Sequence, residues 1–131
     1  MAMMAAIFPY AVTTGSVTVR VAPRYLPDQS DADRGYHVWA YQVRIENAGD
    51  APVQLLARRW EITDADGRVE DVAGDGVVGV QPVINAGQAY DYVSGCPLRT
   101  PSGSMVGRYT MVQRGVRFDV AIPAFALEQP V

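Results

Sequence analysis

An all-β fold is predicted by three observations. Apolar residues recur at every second position along several stretches, Gly, Pro, Asn and Asp interrupt the chain at short intervals, and no segment holds a helical period over a convincing length. Seven or eight short antiparallel strands in 131 residues read as one fibronectin type III or immunoglobulin-like β-sandwich. The domain is assigned to residues 15–127, with residues 1–14 a loosely ordered N-terminal segment and residues 128–131 a C-terminal tail.

The elements follow in order. Val17, Val19 and Val21 alternate with polar neighbours, and Pro23 suggests an edge position. Leu26 to Gly35, with Pro27 and three aspartates, is a solvated loop. Tyr36 to Asn47 places Trp39, Tyr41, Val43 and Ile45 on one face and Gln42, Arg44 and Glu46 on the other, a long strand with a core side. After the Asn47–Pro52 turn, Val53 to Thr63 alternates again, with Leu56, Trp60 and Ile62 on one face and Val53 and Leu55 on the other. Asp64-Ala65-Asp66-Gly67 turns the chain into a strand over residues 68–72. Asn85-Ala86-Gly87 leads into a strand over residues 88–93, and residues 97–103 form a loop. Met105 to Val112 and Arg117 to Ile122 make a last hairpin across Arg114-Gly115, with Phe125 and Leu127 closing the core.

Composition narrows the function. Hydrophobic content of 49% with 19% charged residues suits a folded chain. A net charge of −3 argues against nucleic acid as a partner, because phosphate contacts need a basic field. All eleven basic residues are arginine, which removes lysine Schiff-base chemistry. The single cysteine, Cys96, excludes an internal disulfide and points to a reducing cytoplasm. No apolar run reaches the ~20 residues that would cross a membrane, and the apolar opening Met1 to Phe8 lacks the basic start of a signal peptide.

One string suggests a chemistry. Gly74-Asp75-Gly76-Val77-Val78-Gly79 spells G-x-G-x-x-G, and consecutive amides in such a loop can cradle a pyrophosphate. The segment after it, interrupted by Pro82 and Gly87, cannot supply the helix that normally follows. Glycines at a bend of a β-protein explain the spacing more simply, and Asp75 places a negative charge beside any anion held there. Arg58 shares a face with Trp60 and Leu56, while Arg59 points away. Arg58 is the residue that could clamp an anion or carboxylate, but the favoured reading is an arginine whose stem packs and whose head reaches solvent or a structural carboxylate.

The other candidates carry less. His37 is the sole histidine and begins the aromatic face of its strand. Cys96 has only His37 to activate it, so no nucleophile–base pair and no catalytic residue is assigned. One His and one Cys cannot build a zinc site. Asp28, Asp31, Asp33, Asp64 and Asp66 lack the spacing of a calcium loop and read as turn residues, leaving no metal site and no cofactor.

Residues 38–47 (VWAYQVRIEN), 51–82, from A-P-V-Q-L-L through G-D-G-V-V-G-V-Q-P, and 100–109 (TPSGSMVGRY) together resemble the ApaG family, as does the Phe118–Leu127 strand; the likeness runs from about Gly15 to Leu127. It implies a fibronectin type III-like sandwich and matches Gly74, Gly76 and Gly79 to that family's glycine motif, for which pyrophosphate or dinucleotide binding has been proposed. It also implies genetic links to diadenosine tetraphosphate hydrolysis and to cobalt and magnesium tolerance, without a settled activity. Arg59 stands where the family commonly has an aromatic residue, so no aromatic role carries over there. The expectation is a non-enzymatic cytoplasmic module that binds an unidentified protein partner, a homo-oligomer being compatible with it. The alternative is a pyrophosphate or nucleotide site made by Gly74, Gly76, Gly79 and Arg58.

Overall fold

A computed structural model describes residue 4 and residues 7–130. Nine strands make it up: β1 (Tyr10–Thr14), β2 (Val17–Tyr25), β3 (His37–Asn47), β4 (Val53–Asp64), β5 (Val69–Asp75), β6 (Val83–Ile84), β7 (Ala89–Leu98), β8 (Gly103–Gln113) and β9 (Val116–Leu127). Two sheets form, one in the order β1-β2-β3-β7 and the other β5-β4-β8-β9, with β6 also paired to β4; every pairing is antiparallel. The chain is an all-β sandwich. The Leu26–Gly35 segment holds two single 3₁₀ turns, Pro27–Gln29 and Ala32–Arg34.

The core follows from the period-two pattern. Trp39, Tyr41, Val43 and Ile45 of β3 point inward with Val17, Val19 and Val21 of β2, against Trp60, Tyr109, Met111, Val120, Ile122, Phe125 and Leu127 of the other sheet. Each large apolar side chain fully removed from water contributes about 1.5–3 kcal/mol. The buried polar atoms are satisfied as well: Trp39 donates its indole N–H to the Glu128 carbonyl at 2.9 Å, and Asn47 donates to the carbonyls of Ala51 and Ile84.

Several sequence-based expectations are corrected. Tyr10–Thr14 belongs to the sandwich as β1, hairpinned to β2 across Gly15 (φ 59) with Thr14 opposite Val17. Residues 1–3, 5 and 6 of the N-terminal segment, and Val131 of the tail, lie outside the described residues. Strand β7 runs on through Cys96 and Pro97 to Leu98, and β9 continues to Leu127. In β4 a bulge between Leu55 and Ala57 reverses the parity, so Val53, Leu55 and Trp60 all reach the same core instead of opposite faces. A second register shift, opposite Val106, accommodates Pro123 in the edge strand β9, where a missing ladder donor costs little. Strand β2 is internal rather than an edge, but β1 ends at the Tyr10–Val21 pair, so Pro23 has a strand on one side only.

The two long sides of the sandwich differ. On one, β1 meets β9: the Ala121 amide donates to Thr14 Oγ1 at 3.1 Å, and the Ala126 amide to the Tyr10 hydroxyl at 3.4 Å. On the other, β7 and β5 end their sheets, and among the described residues no strand pairs with their outer edges. The glycine segment sits on this open side.

Candidate functional site

After β5 the chain makes a very tight reversal. Val77 and Val80 exchange both backbone hydrogen bonds, at 2.8 and 3.1 Å. The two residues between them, Val78 (φ 46) and Gly79 (φ 79), both have positive φ, the sign pattern of a type I′ turn. Gly76 (φ 60) is required on two counts: it occupies the left-handed region, and a Cβ there would stand 2.1 Å from the Val80 carbonyl oxygen. Its amide donates to the Leu56 carbonyl at 2.8 Å, in the β4 bulge.

Arg58 reaches into this turn from β4. Its Nη1 donates to the carbonyls of Asp75 at 2.9 Å and Gly76 at 3.0 Å. The guanidinium lies flat over Gly74, where a Cβ would come within 3.0–3.2 Å of Nη1, Nη2 and Cζ. The structure therefore brings together all four residues singled out from sequence, with a definite polarity. The motif's carbonyl oxygens hold a cation, while the Gly76 and Val77 amides are already bonded within the fold. Only the tip amides of Val78 and Gly79 donate no backbone hydrogen bond among the described residues of this turn.

Beside the turn lies a pocket of about 400 Å³ lined by Tyr41, Arg58, Trp60, Val77, Val78, Gly79, Tyr92, Val93 and Ser94. Tyr92 and Ser94 face inward and Val93 outward, as successive strand residues must. A pocket touching all three opens at the edge of β7. Below it the Tyr92 and Tyr109 hydroxyls are hydrogen-bonded to each other. Burial raises the pKa of both phenols and that of Tyr41; the Ser94 hydroxyl and the nearby Arg58 charge pull Tyr41 partly back. Arg58 forms no ion pair with a carboxylate among the described residues, unlike Arg20 and Arg44, which share Glu46 at 3.0 and 3.1 Å. The pocket can offer guanidinium and hydroxyl donors against aromatic walls.

Sequence reasoning missed the tyrosines. Tyr41 and Tyr92 sit at inward positions of their strands, which alternation shows, but their convergence with Tyr109 depends on which strands face each other. Arg59 points to the opposite surface as expected, where it lines a separate open cleft of about 560 Å³ with Asp71, Arg108 and Asp119.

The remaining candidates are placed as follows. His37 is buried, its Nδ1 hydrogen-bonded to the Gln129 side chain at 2.8 Å. Cys96 is buried opposite Trp39, and its thiol is pushed up to about 11, first by burial and then by the Glu70 charge. The Asp64 carboxylate accepts the amides of Asp66 and Arg68 at 2.9 and 3.0 Å, the work of a turn residue. Asp31 pairs with Arg34 at 3.4 Å. Among the described residues no three His, Cys, Asp or Glu side chains gather in a metal-binding group, and no helix is long and apolar enough to cross a membrane.

Comparison with known proteins agrees with this architecture. A family model described as the ApaG domain matches residues 27–113. The chain is 56% identical over 122 residues to Protein ApaG of Mesorhizobium japonicum and 57% identical to that of Paramagnetospirillum magneticum, in each case covering 92% of this chain and 94% of the relative. A Bordetella pertussis protein whose crystal structure carries the name ApaA superposes with a TM-score of 0.85 at 49% identity, covering 87% of this chain and 94% of that one. A protein of Archaeoglobus fulgidus, 8% identical with a TM-score of 0.54, shares the fold alone. With a matching family model over more than half its length and near-complete alignment to relatives above half identity, the chain belongs to the ApaG family.

Proposed function

We propose that this protein is a non-enzymatic binding module that engages a protein partner along the open side of its sandwich. The observation that carries this reading is the asymmetry of the two sides. The β1/β9 side is bridged by hydrogen bonds from β9 amides to Thr14 and Tyr10, whereas among the described residues the ten-residue β7 has an unpaired edge beside a pocket. An exposed edge is a template for strand addition, and the backbone donors and acceptors along it supply affinity. Val93 is 57% exposed and Val78 63% exposed at the rim, the kind of apolar surface a partner covers. The buried Cys96, with its raised pKa, and His37, bonded to Gln129, give no support to nucleophilic catalysis. The module is assigned to the cytoplasm, where a lone thiol stays reduced.

The test is affinity capture from a cell extract with Val93→Glu, at the pocket rim, against Val116→Glu, at the far β8–β9 turn. The reading expects one partner retained by the parent chain and the second variant and lost by the first. Equal retention by both variants would sink it.

A second reading, pyrophosphate or nucleotide binding, is favoured by one observation: Arg58 lines a pocket with Gly79 and, among the described residues, has no carboxylate partner and lies beside two tip amides that donate no backbone hydrogen bond. Calorimetry with diadenosine tetraphosphate, ATP and pyrophosphate decides it. No heat and no thermal stabilisation at millimolar ligand ends that reading.

A further inference from the structure

We propose that the pocket beside the glycine turn receives an acidic side chain from a peptide strand added to the free edge of β7. The inference rests on the protein-binding reading above and names the chemistry the partner must carry. Continuity is the first argument. Tyr92, Val93 and Ser94 belong to β7 and also line the pocket, so a strand paired to that edge would direct alternate side chains to the pocket mouth. Charge is the second. Arg58 is held by the Asp75 and Gly76 carbonyls through a single nitrogen, Nη1, leaving the rest of its fork of donors without a carboxylate among the described residues. Packed sheets lie ~10 Å apart, a gap that the long stems of Arg58 on β4 and an incoming acidic residue can bridge from opposite sides. Preorganisation is the third. The guanidinium rests on Gly74 and two carbonyls, so little ordering is needed when a carboxylate arrives. Ser94 and Tyr41 add hydroxyls, and Trp60 and Tyr92 enclose the methylene stem.

The experiment selects internal random heptapeptides displayed on phage against the full chain, Arg58→Gln and Arg58→Lys, each first shown by thermal melting to be folded. On the full chain the selected strands should share one Asp or Glu. That enrichment should vanish on Arg58→Gln and persist in weakened form on Arg58→Lys, which also separates loss of charge from loss of fold. A selected peptide, acetylated and amidated, should bind Arg58→Gln about tenfold or more weakly. Replacing its acidic residue by the amide should cost the same, with no further loss when both changes are combined. Hydrogen exchange should slow at the outward amides of β7 on binding. An acidic preference that survives Arg58→Gln overturns the inference. So does β7 protection that rises with protein concentration alone, which would make a second copy the occupant. Peptides that protect β7 without an acidic position defeat this inference and leave the edge-binding reading intact. Selection of no strand at all defeats both.

Discussion

Gly76→Ala is the substitution whose cost the structure specifies most closely. Two effects add. An alanine at φ 60 pays roughly 1–2 kcal/mol for the left-handed region. Its Cβ would also overlap the Val80 carbonyl at 2.1 Å, a backbone atom that cannot swing aside. The turn must then open, giving up the Val77–Val80 pair of hydrogen bonds at about 0.5–1.5 kcal/mol each. The expected loss is about 3 kcal/mol, a substantial share of the roughly 5–15 kcal/mol that stabilises a typical domain. Gly79 supplies an internal control, since it has φ 79 but nothing within 4 Å of its would-be Cβ. Gly79→Ala should therefore cost only about 1 kcal/mol. Urea unfolding monitored by tryptophan fluorescence measures both, and a difference of about 2 kcal/mol corresponds to roughly 8 °C in melting temperature for a chain of this size. Equal costs would refute the reasoning, because steric contact with Val80 would then not distinguish the two glycines.

Other expected outcomes test neighbouring features. Val78→Asn should stabilise the chain by about 1 kcal/mol in the same assay, since a β-branched residue at positive φ is strained and Asn-Gly suits this turn; a loss of stability would contradict the turn assignment. Tyr92→Phe and Tyr109→Phe should each cost about 1–3 kcal/mol by leaving one buried hydroxyl unpaired, while the double variant costs clearly less than the sum; strict additivity would show that the hydroxyls do not depend on each other. Gly74→Ala should destabilise by about 1 kcal/mol through its 3.0 Å approach to the guanidinium and be nearly neutral in an Arg58→Met background, so an unchanged cost there would place the clash elsewhere. Alkaline stability follows from linkage: thiol and phenols whose folded pKa values are raised keep their protons in the native state while the unfolded chain loses them. Their contribution is fully present below pH 9, the unfolded value for Cys96, and is lost as pH rises through its folded value of about 11 and on into the tyrosine range. Cys96→Ala should flatten the pH 9–11 part of the urea-midpoint profile, and an unaltered slope there would show the thiol's pKa is not raised.

How much of this was legible depends on what each residue's placement requires. The inward faces of β2 and β3 could be read directly, because Val17, Val19 and Val21, and Trp39 through Ile45, keep period two over paired, regular strands. The β4 face assignment failed at the bulge, where one extra residue inverts every later position, a shift that Val53, Leu55, Trp60 and Ile62 do not announce. Strand β1 was missed because Tyr10–Thr14 buries little; hydroxyl contacts such as Thr13 with Thr18 at 2.8 Å help hold it, rather than an apolar stripe. At the site, Arg58's inward direction and the glycines' turn could be foreseen from local geometry. The tyrosine cluster could not, because Tyr41, Tyr92 and Tyr109 meet only after three strands from two sheets are in register.

The same local argument explains why a glycine spacing associated with phosphate takes on the opposite electrostatics here. A phosphate cradle needs consecutive amides with no other partner, and the turn before a helix provides them because the first amides of a helix have no acceptor of their own. A turn within a sheet offers fewer: pairing has already used the Gly76 amide on Leu56 and the Val77 amide on Val80, which leaves only the tip amides of Val78 and Gly79 among the described residues of this turn. The turn also leaves carbonyl oxygens for a cation, and those of Asp75 and Gly76 are where Arg58 is anchored. The glycines are still essential, since Gly76 lets the chain reverse and Gly74 leaves room for the guanidinium. An anion entering from the pocket side is therefore expected to meet the arginine that the motif holds, with the strength of its recognition following Arg58 more than the two tip amides of the glycine loop.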